Sequence, residues 1–222
     1  AISVQNITAK KSPRAMAIRL NYAGMRDINL LADLTNYVML DAGLPMHAFD
    51  NKIVKGINVL ESDGSVVMKT LEGEEHKPPV HATLICDENR EPVAIAGVKG
   101  GLKSGISDET NSVLFEGAVF DCENIRKTSR AIGLITDASQ RYEKSLDPEL
   151  TPVALGRILY LLHEIDSGAK VTSSFSDCYK KKYPQIEIDL DPDFIGKIVG
   201  EDISKDFIIK TLRAIEFDVQ EA

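Results

Sequence analysis

The sequence has few of the features that mark secreted, membrane or broadly basic proteins. Its 222 residues contain no tryptophan and only three cysteines. Because three is an odd number and Cys86, Cys122 and Cys178 are widely spaced, we predict reduced thiols and no disulfide framework. No apolar run approaches the roughly 20 residues of a membrane-spanning helix, and the first residues show no signal-peptide pattern. We therefore expect a soluble cytoplasmic protein that does not associate with membranes.

An excess of basic residues is also missing. The chain has 34 acidic and 26 basic residues, which gives a formal net charge of -8. This balance excludes a broadly basic nucleic-acid surface, although local basic patches remain compatible with it. With 43% hydrophobic residues, the chain can bury one substantial core, or one core and a small satellite.

The apolar pattern changes along the chain and predicts an α+β fold. Helical spacing occurs in residues 15–22, 28–42, 122–132, 137–144 and 148–164. Short strand patterns rich in β-branched residues occur in residues 57–60, 66–71, 83–86, 93–96 and 113–120, with Asp63-Gly64 and Glu72-Gly73 as turns. We expect layered antiparallel or mixed β-sheets flanked by helices, with a small α-rich C-terminal segment.

A domain boundary is predicted between Lys170 and Gln185, where a Tyr-Lys-Lys-Lys-Tyr-Pro run lies. Residues 1–175 would form the larger domain. Residues 185–222 would follow with two short helices, the second capped by Ser204. Because this second piece is too short for an ordinary core, it would dock on the larger domain or be a truncated domain.

The segment 35–50 carries the first candidate site. Thr35 and Asn36 lie on the predicted helix 28–42, and the Gly43-Leu44-Pro45 break ends that helix. His47 follows on what we predict to be a loop, where binding residues often lie. A histidine can donate or accept hydrogen bonds and move protons near neutral pH. A lone loop histidine is more often a structural hydrogen-bonding residue, so that interpretation also stays open.

A glycine-rich stretch follows the strand 93–96. Gly97, Gly100 and Gly101 would let backbone groups approach a ligand closely. Their spacing matches neither a P-loop nor a dinucleotide-binding fingerprint. An irregular surface turn explains the same glycines as well as a binding loop does.

Glu116 is a carboxylate inside an apolar strand. Period-two alternation places it on the face of Leu114 and Ala118, so it is either partly buried or on a solvated face. The neighbouring Gly117 leaves space for a ligand or for a crossing backbone.

A metal site is not expected. His76, His81 and Cys86 are regularly spaced, but the run contains two prolines and lacks a fourth nearby ligand.

Several sequence blocks occur in one fixed order between about Ser12 and Glu164. They are residues 35–38 (Thr-Asn-Tyr-Val), 43–50 (Gly-Leu-Pro-Met-His-Ala-Phe-Asp), 94–101 (Ala-Ile-Ala-Gly-Val-Lys-Gly-Gly), 104–107 (Ser-Gly-Ile-Ser), 113–116 (Val-Leu-Phe-Glu), 126–130 (Arg-Lys-Thr-Ser-Arg) and 133–143 (Gly-Leu-Ile-Thr-Asp-Ala-Ser-Gln-Arg-Tyr-Glu). In this order they resemble the beta subunit of bacterial phenylalanyl-tRNA synthetase, in the module that hydrolyses mischarged tRNA. Residues 186–221 resemble the first half of the winged-helix-like module that follows it.

The resemblance implies hydrolysis of tyrosyl-tRNA(Phe). A pocket shaped for phenylalanine rejects a substrate with one added hydroxyl only about a hundredfold, so a second site is needed. By this resemblance Glu116 reads the phenol hydroxyl, and His47 orients the terminal adenosine or the attacking water. Thr35 and Asn36 would bind the aminoacyl group.

The remaining site residues follow from the same resemblance. Backbone groups of Gly97, Gly100 and Gly101 would position the ester and stabilise oxyanion charge. Ala138, in the last block, belongs to the substrate-binding set.

Partners and cofactors are implied in the same way. The partners would be the acceptor end of tRNA(Phe) and the alpha subunit of an (alpha-beta)2 enzyme. ATP and magnesium would be used by the whole enzyme, and no cofactor is expected for this chain. Two alternatives stay open: a non-catalytic tRNA-binding or subunit-scaffold module of the same enzyme, and a freestanding aminoacyl-tRNA hydrolase.

Overall fold

The structure is a computed structural model that describes residues 1–70, 73–180, 182–184 and 186–220. It divides into two units, Ala1–Asp177 and Cys178–Ala222. The domain limits 1–175 and 185–222 remain a prediction from the sequence, and Gln185 lies outside the described residues.

The larger unit begins with β1 (Ile2–Gln5), α1 (Arg14–Tyr22), α2 (Leu30–Ala42) and β2 (Met46–Asp50). Short strands follow: β3 (Asn58–Glu61), β4 (Met68–Lys69), β5 (Glu75–His76), β6 (Thr83–Cys86), β7 (Pro92–Ile95), β8 (Lys99–Gly100) and β9 (Ser112–Gly117), with a 3-10 turn at Leu102–Ser104. The unit ends with α3 (Cys122–Ala131), α4 (Asp137–Tyr142), α5 (Leu150–Ile165) and β10 (Lys170–Val171). The smaller unit contains α6 (Pro192–Val199) and α7 (Lys205–Ala214).

The strands form two four-stranded sheets and a two-stranded ribbon. The first sheet has the order β10-β1-β9-β2, the second has the order β3-β6-β7-β8, and β4 pairs with β5. Each of these pairings is antiparallel. The predicted α+β class, with antiparallel sheets flanked by helices, is thus confirmed. Among the described residues, no helix combines the length and apolar character that crossing a membrane would require.

Strand β9, in the middle of the first sheet, is buried on both faces. Phe115 belongs to the main core, which includes Leu34 of α2. The next side chain along the chain, Leu114, points the other way and belongs to a cluster with Ile85 of the second sheet. Alternation places Glu116 on the face of Leu114, towards the second sheet.

The predicted loop at His47 is wrong, because this residue lies in strand β2. Ala48 pairs with Phe115 and Phe49 pairs with Leu114, and the same ladder continues back to Met46. Both Ala48 and Phe49 are buried. Packing on both faces of the sheet therefore favours a strand directly after the Gly43-Leu44-Pro45 break, where the sequence alone predicts a loop.

Other boundaries differ from the predicted ones more modestly. The strand predicted over 113–120 ends at Gly117. The strand predicted over 66–71 is reduced to Met68–Lys69. Leu71, and Glu72 of the predicted Glu72-Gly73 turn, lie outside the described residues.

Capping side chains explain where several helices begin and end. The Asn29 side chain accepts a hydrogen bond from the Ala32 amide at 3.0 Å at the start of α2. Gly43, with φ of 78°, ends that helix in the left-handed region. Ser204 caps α7 by accepting from the Phe207 amide at 3.3 Å, as predicted.

Asp166, just after α5, ties this helix to the segment that follows β1. One carboxylate oxygen accepts from the amides of Thr8 at 2.6 Å and Ala9 at 2.8 Å. Burial raises the pKa of Asp166, but the hydrogen bonds outweigh burial and leave the pKa below its ordinary value. Because the folded pKa is lowered, the stabilisation is present above the unfolded pKa and is lost as the pH falls through the folded pKa.

We expect Asp166→Ala to lower the free energy of unfolding at pH 7 by about 1–3 kcal/mol, because two amides lose their acceptor. Urea unfolding measures this change, with Glu164→Ala, an exposed position on α5, as the control. The difference from wild type should shrink as the pH falls through the folded pKa of Asp166. Equal stability of Asp166→Ala and the control at pH 7 would contradict this role.

Candidate functional site

A cavity of about 610 Å³ lies where α2, the edges of the two large sheets and α4 meet. Seven of the eight predicted site residues line it: Thr35, Asn36, His47, Gly97, Gly100, Glu116 and Ala138. Gly101 does not line it. The structure therefore brings together residues that are up to about a hundred positions apart in the sequence.

The pairing of β2 with β9 builds one wall of the cavity. His47 lies directly opposite Glu116 in the antiparallel register. Side chains opposite each other in such a pair share one face, with Cβ atoms about 4.5–5.5 Å apart. An imidazole and a carboxyl group are therefore neighbours on the cavity wall.

Glu116 is half-buried, and one oxygen of its carboxyl group is buried and unpaired. Its Oε1 atom has no hydrogen-bond partner among the described residues. Burial raises the pKa of Glu116 to about 7. Neutral and ionised forms are thus both populated near neutral pH, and either form can accept a hydrogen bond from a ligand. An unpaired buried polar atom is costly, which makes a ligand donor at this point favourable.

The His47 ring is neutral at neutral pH. Burial lowers the pKa of His47 to about 4. The ring meets Phe49 edge-on, with centroids 4.4 Å apart and an interplanar angle of 65°. A neutral imidazole offers one donor and one acceptor nitrogen. Since a base with such a low pKa takes up protons poorly near pH 7, the ring is suited to hydrogen bonding and orientation.

Helix α2 supplies the polar side chains of the opposite wall. The Thr35 hydroxyl donates to the Ala32 carbonyl at 2.7 Å, which leaves its oxygen able to accept. The Asn36 side chain lines the cavity and makes no hydrogen bond within the described part of the chain. Both groups can therefore contact a bound ligand.

The glycines of the 97–101 stretch have different roles. Gly97 has φ of 65°, and its amide finds no acceptor among the residues that the structure describes. Gly100 lines the cavity while pairing with Ala94 in the second sheet. The Gly101 amide donates to the Val93 carbonyl at 2.8 Å. A Cβ on Gly101 would lie 2.7 Å from the same oxygen, so this glycine permits a close backbone approach away from the cavity.

Two more of the lining residues, Tyr142 and Arg26, were not among the predicted site residues. Tyr142, the last residue of α4, lines the cavity. It follows Ala138 by four residues on α4, so the helical spacing already placed the two on one face. Arg26, exposed in the connection between α1 and α2, adds a cation at the cavity rim, and no local pattern pointed to it.

The regularly spaced His76, His81 and Cys86 do not converge. Cys86 is buried in the core, and His81 Nδ1 lies 3.0 Å from a Glu61 carboxylate oxygen. In the described ranges, no three His, Cys, Asp or Glu side chains are grouped so that they could hold a metal ion.

Comparison of the sequence with known families places the chain in one of them. The family model described as the B3/4 domain matches residues 1–167. The chain belongs to the B3/4 domain family.

Its relatives agree with the resemblance drawn from the sequence blocks. The phenylalanine-tRNA ligase beta subunit of Clostridium tetani is 35% identical over 217 residues, which are 97% of this chain and 27% of that protein. The corresponding subunit of Clostridium acetobutylicum is 36% identical over 220 residues, 98% of this chain and 27% of that protein. An N-terminal fragment of the phenylalanyl-tRNA synthetase beta subunit from Pyrococcus horikoshii is 12% identical with a TM-score of 0.48, over 100% of this chain and 61% of that one. The chain thus spans about a quarter of the length of the curated relatives it matches.

Gly97→Ala should destabilise the protein by more than the backbone strain of a residue with positive φ, because the added methyl group would also clash with its neighbours. A Cβ at Gly97 would lie 2.8 Å from Tyr142 Cδ2 and 3.0 Å from Ile125 Cδ1. Gly133 also has a positive φ, of 71°, but a Cβ there meets nothing within 4 Å. We expect Gly97→Ala to cost about 1–3 kcal/mol more than Gly133→Ala in urea unfolding, because only the former overpacks the core. Equal costs would show that backbone strain alone matters.

The raised pKa of Glu116 predicts a pH dependence of stability. Because the folded pKa exceeds the unfolded value, the neutral carboxyl favours the folded state, fully below the unfolded pKa. This contribution is lost as the pH rises from about 4.5 through about 7. Glu116→Gln should remove that part of the slope, as measured by urea unfolding at several pH values. A carboxyl signal of Glu116 that titrates near 4.5 in NMR would contradict the prediction.

Proposed function

We propose that this chain is the editing module of a phenylalanine-tRNA ligase beta subunit and hydrolyses tyrosyl-tRNA(Phe). One structural observation gives this proposal its main support. The buried, unpaired Oε1 of Glu116 lies on the wall of a cavity that neutral His47, Asn36 and Gly97 also line. Membership of the B3/4 family and the similarity to beta subunits support it.

Glu116 supplies the distinction between tyrosine and phenylalanine. A tyrosyl side chain brings a phenol hydroxyl, which satisfies the otherwise unpaired carboxyl oxygen. Phenylalanine would bury the same oxygen without a partner. Sites built to bind a hydroxyl reject the analogue that lacks it strongly, because the polar group of the site is left unsatisfied.

The proposed reaction is the hydrolysis of the ester between tyrosine and the terminal ribose of tRNA. Water adds to the ester carbonyl carbon, and the bond from that carbon to the ribose oxygen breaks. The ribose oxygen takes up a proton, so the products are tyrosine and tRNA with a restored hydroxyl. Positioning of the water and the ester alone contributes several kcal/mol to such a reaction.

Each cavity group has a role that follows from its state in the structure. Neutral His47 hydrogen-bonds and orients the water or the terminal adenosine. The Gly97 amide has no acceptor within the described residues and would therefore be available to donate to the developing oxyanion. Asn36 and Thr35 hold the aminoacyl group, and small Ala138 leaves room for it. Gly101 is not part of this set, because its amide donates a hydrogen bond to the Val93 carbonyl.

The wider setting belongs to the same proposal. The chain would act within a cytoplasmic (alpha-beta)2 synthetase on the acceptor end of tRNA(Phe). ATP and magnesium would serve aminoacylation by the whole enzyme, and editing would need no cofactor. Arg26, an exposed cation that lines the cavity, would contact a backbone phosphate. Because the chain has a net charge of -8, its own binding of RNA should be weak and salt-sensitive.

Deacylation assays on tyrosyl-tRNA(Phe) and phenylalanyl-tRNA(Phe) test the proposal. We expect wild type to release tyrosine faster than phenylalanine. Glu116→Ala should lower the rate for tyrosine at least about tenfold and reduce the selectivity, because the acceptor for the phenol is removed. His47→Ala should lower both rates, because it affects the reacting end that the two substrates share. Glu164→Ala, a surface change on α5, should behave as wild type.

The assay should be run with this chain and with the intact two-subunit enzyme. Editing that survives both Glu116→Ala and His47→Ala in the intact enzyme would contradict the site assignment. The non-catalytic alternative, a tRNA-binding or scaffold module, would then be favoured.

A further inference from the structure

Helix α4 is a short element that contacts two separate parts of the cavity wall. At its start, the Thr136 hydroxyl accepts from the Ser139 amide at 3.1 Å, in a capping box. The same hydroxyl donates to the Val98 carbonyl at 3.1 Å. The beginning of α4 is therefore joined to the glycine stretch that contains Gly97.

The last residue of α4, Tyr142, reaches the other part of the wall. It is buried, and its hydroxyl donates to the Pro45 carbonyl at 3.0 Å. Pro45 has no amide hydrogen, so this carbonyl is its one strong main-chain hydrogen-bonding group. It lies immediately before Met46 and His47 of β2. The bond from Tyr142 thus holds the point at which the chain enters the strand that carries His47.

The Tyr142 ring also limits the position of Gly97. A Cβ at Gly97 would lie 2.8 Å from Tyr142 Cδ2 and 3.2 Å from Phe120 Cδ2. Phe120 and Tyr142 pack edge to face, with centroids 5.1 Å apart. The glycine backbone therefore rests on an aromatic pair that cannot easily move in a packed interior.

We infer that Tyr142 is a positioning residue, which joins the start of β2 to the glycine stretch so that His47 and the Gly97 amide act on the same ester. The hydroxyl holds the start of β2, and the ring holds the glycine stretch. The effect on ester hydrolysis rests on the proposed editing function, whereas the effect on the position of β2 and the glycine stretch does not.

Tyr142→Phe separates these two contributions, because it removes the hydroxyl and keeps the ring. Tyr160→Phe on α5 is the matched control, since this tyrosine is 56% exposed and does not line the cavity. The two variants and wild type are compared in two measurements: kcat and KM for deacylation of tyrosyl-tRNA(Phe), and hydrogen exchange by mass spectrometry.

In the kinetic measurement, kcat of Tyr142→Phe should fall about tenfold, the effect of one lost hydrogen bond of about 1.4 kcal/mol. KM and the preference for tyrosine over phenylalanine should stay unchanged, because the groups that bind the aminoacyl part are intact. An unchanged kcat, or a loss of selectivity like that of Glu116→Ala, would overturn the inference.

In the exchange measurement, the amides of residues 46–48 should exchange faster in Tyr142→Phe than in wild type or Tyr160→Phe. Exchange in α5 should be the same in all three proteins. Unchanged exchange of residues 46–48 overturns the inference whatever the kinetics show. Absence of deacylation by wild type, in the intact enzyme as well, instead overturns the proposed function, and the exchange result then decides the positioning role by itself.

Discussion

The pairing register of β2 with β9 is the constraint on which the rest of the site depends. It puts His47 opposite Glu116 and is secured by the next two pairs, Ala48 with Phe115 and Phe49 with Leu114. A slip of one residue would turn every side chain of β2 to the opposite face of the sheet. Because these two pairs are buried, such a slip would remove apolar side chains from the core and is therefore disfavoured. A packed core on both sides of the sheet therefore determines which side chains the cavity contains.

Burial then gives the two opposed groups their chemistry. The same loss of water lowers the pKa of His47 to about 4 and raises the pKa of Glu116 to about 7, because in each case the charged form is disfavoured. The cavity wall thus tends towards a neutral pair with unused hydrogen-bonding capacity. Such a wall suits an uncharged hydroxyl and an ester. Among the described residues, His76 Nε2 and Glu116 Oε1 are the buried side-chain atoms without a hydrogen-bond partner, and of the two only Glu116 lies on the cavity wall. An unsatisfied buried polar atom in a cavity is typical of a functional surface.

Local signals in the sequence predicted the elements better than the connections between them. The helices of the larger unit and the Ser204 cap follow from periodicity and capping chemistry, which involve residues a few positions apart. The loop expected at His47 was wrong, because the strand there is imposed by Leu114 and Phe115, more than sixty positions away. Gly101 was grouped with the binding glycines because adjacent glycines look alike in a sequence. Only the approach of the Val93 carbonyl shows that it serves the second sheet.

Periodicity and motif order along the sequence were enough to predict the α+β class, the order of the family blocks and the residue types of the candidate site. How these residues meet depends on the folded chain. The fold placed Asn36, Gly97, Glu116 and Ala138 around one cavity, and it put the Tyr142 hydroxyl on the Pro45 carbonyl across 97 positions of sequence. The physical reason is that propensity and capping act within a few residues. Burial, pKa shifts and close packing depend instead on neighbours that only the folded chain brings together.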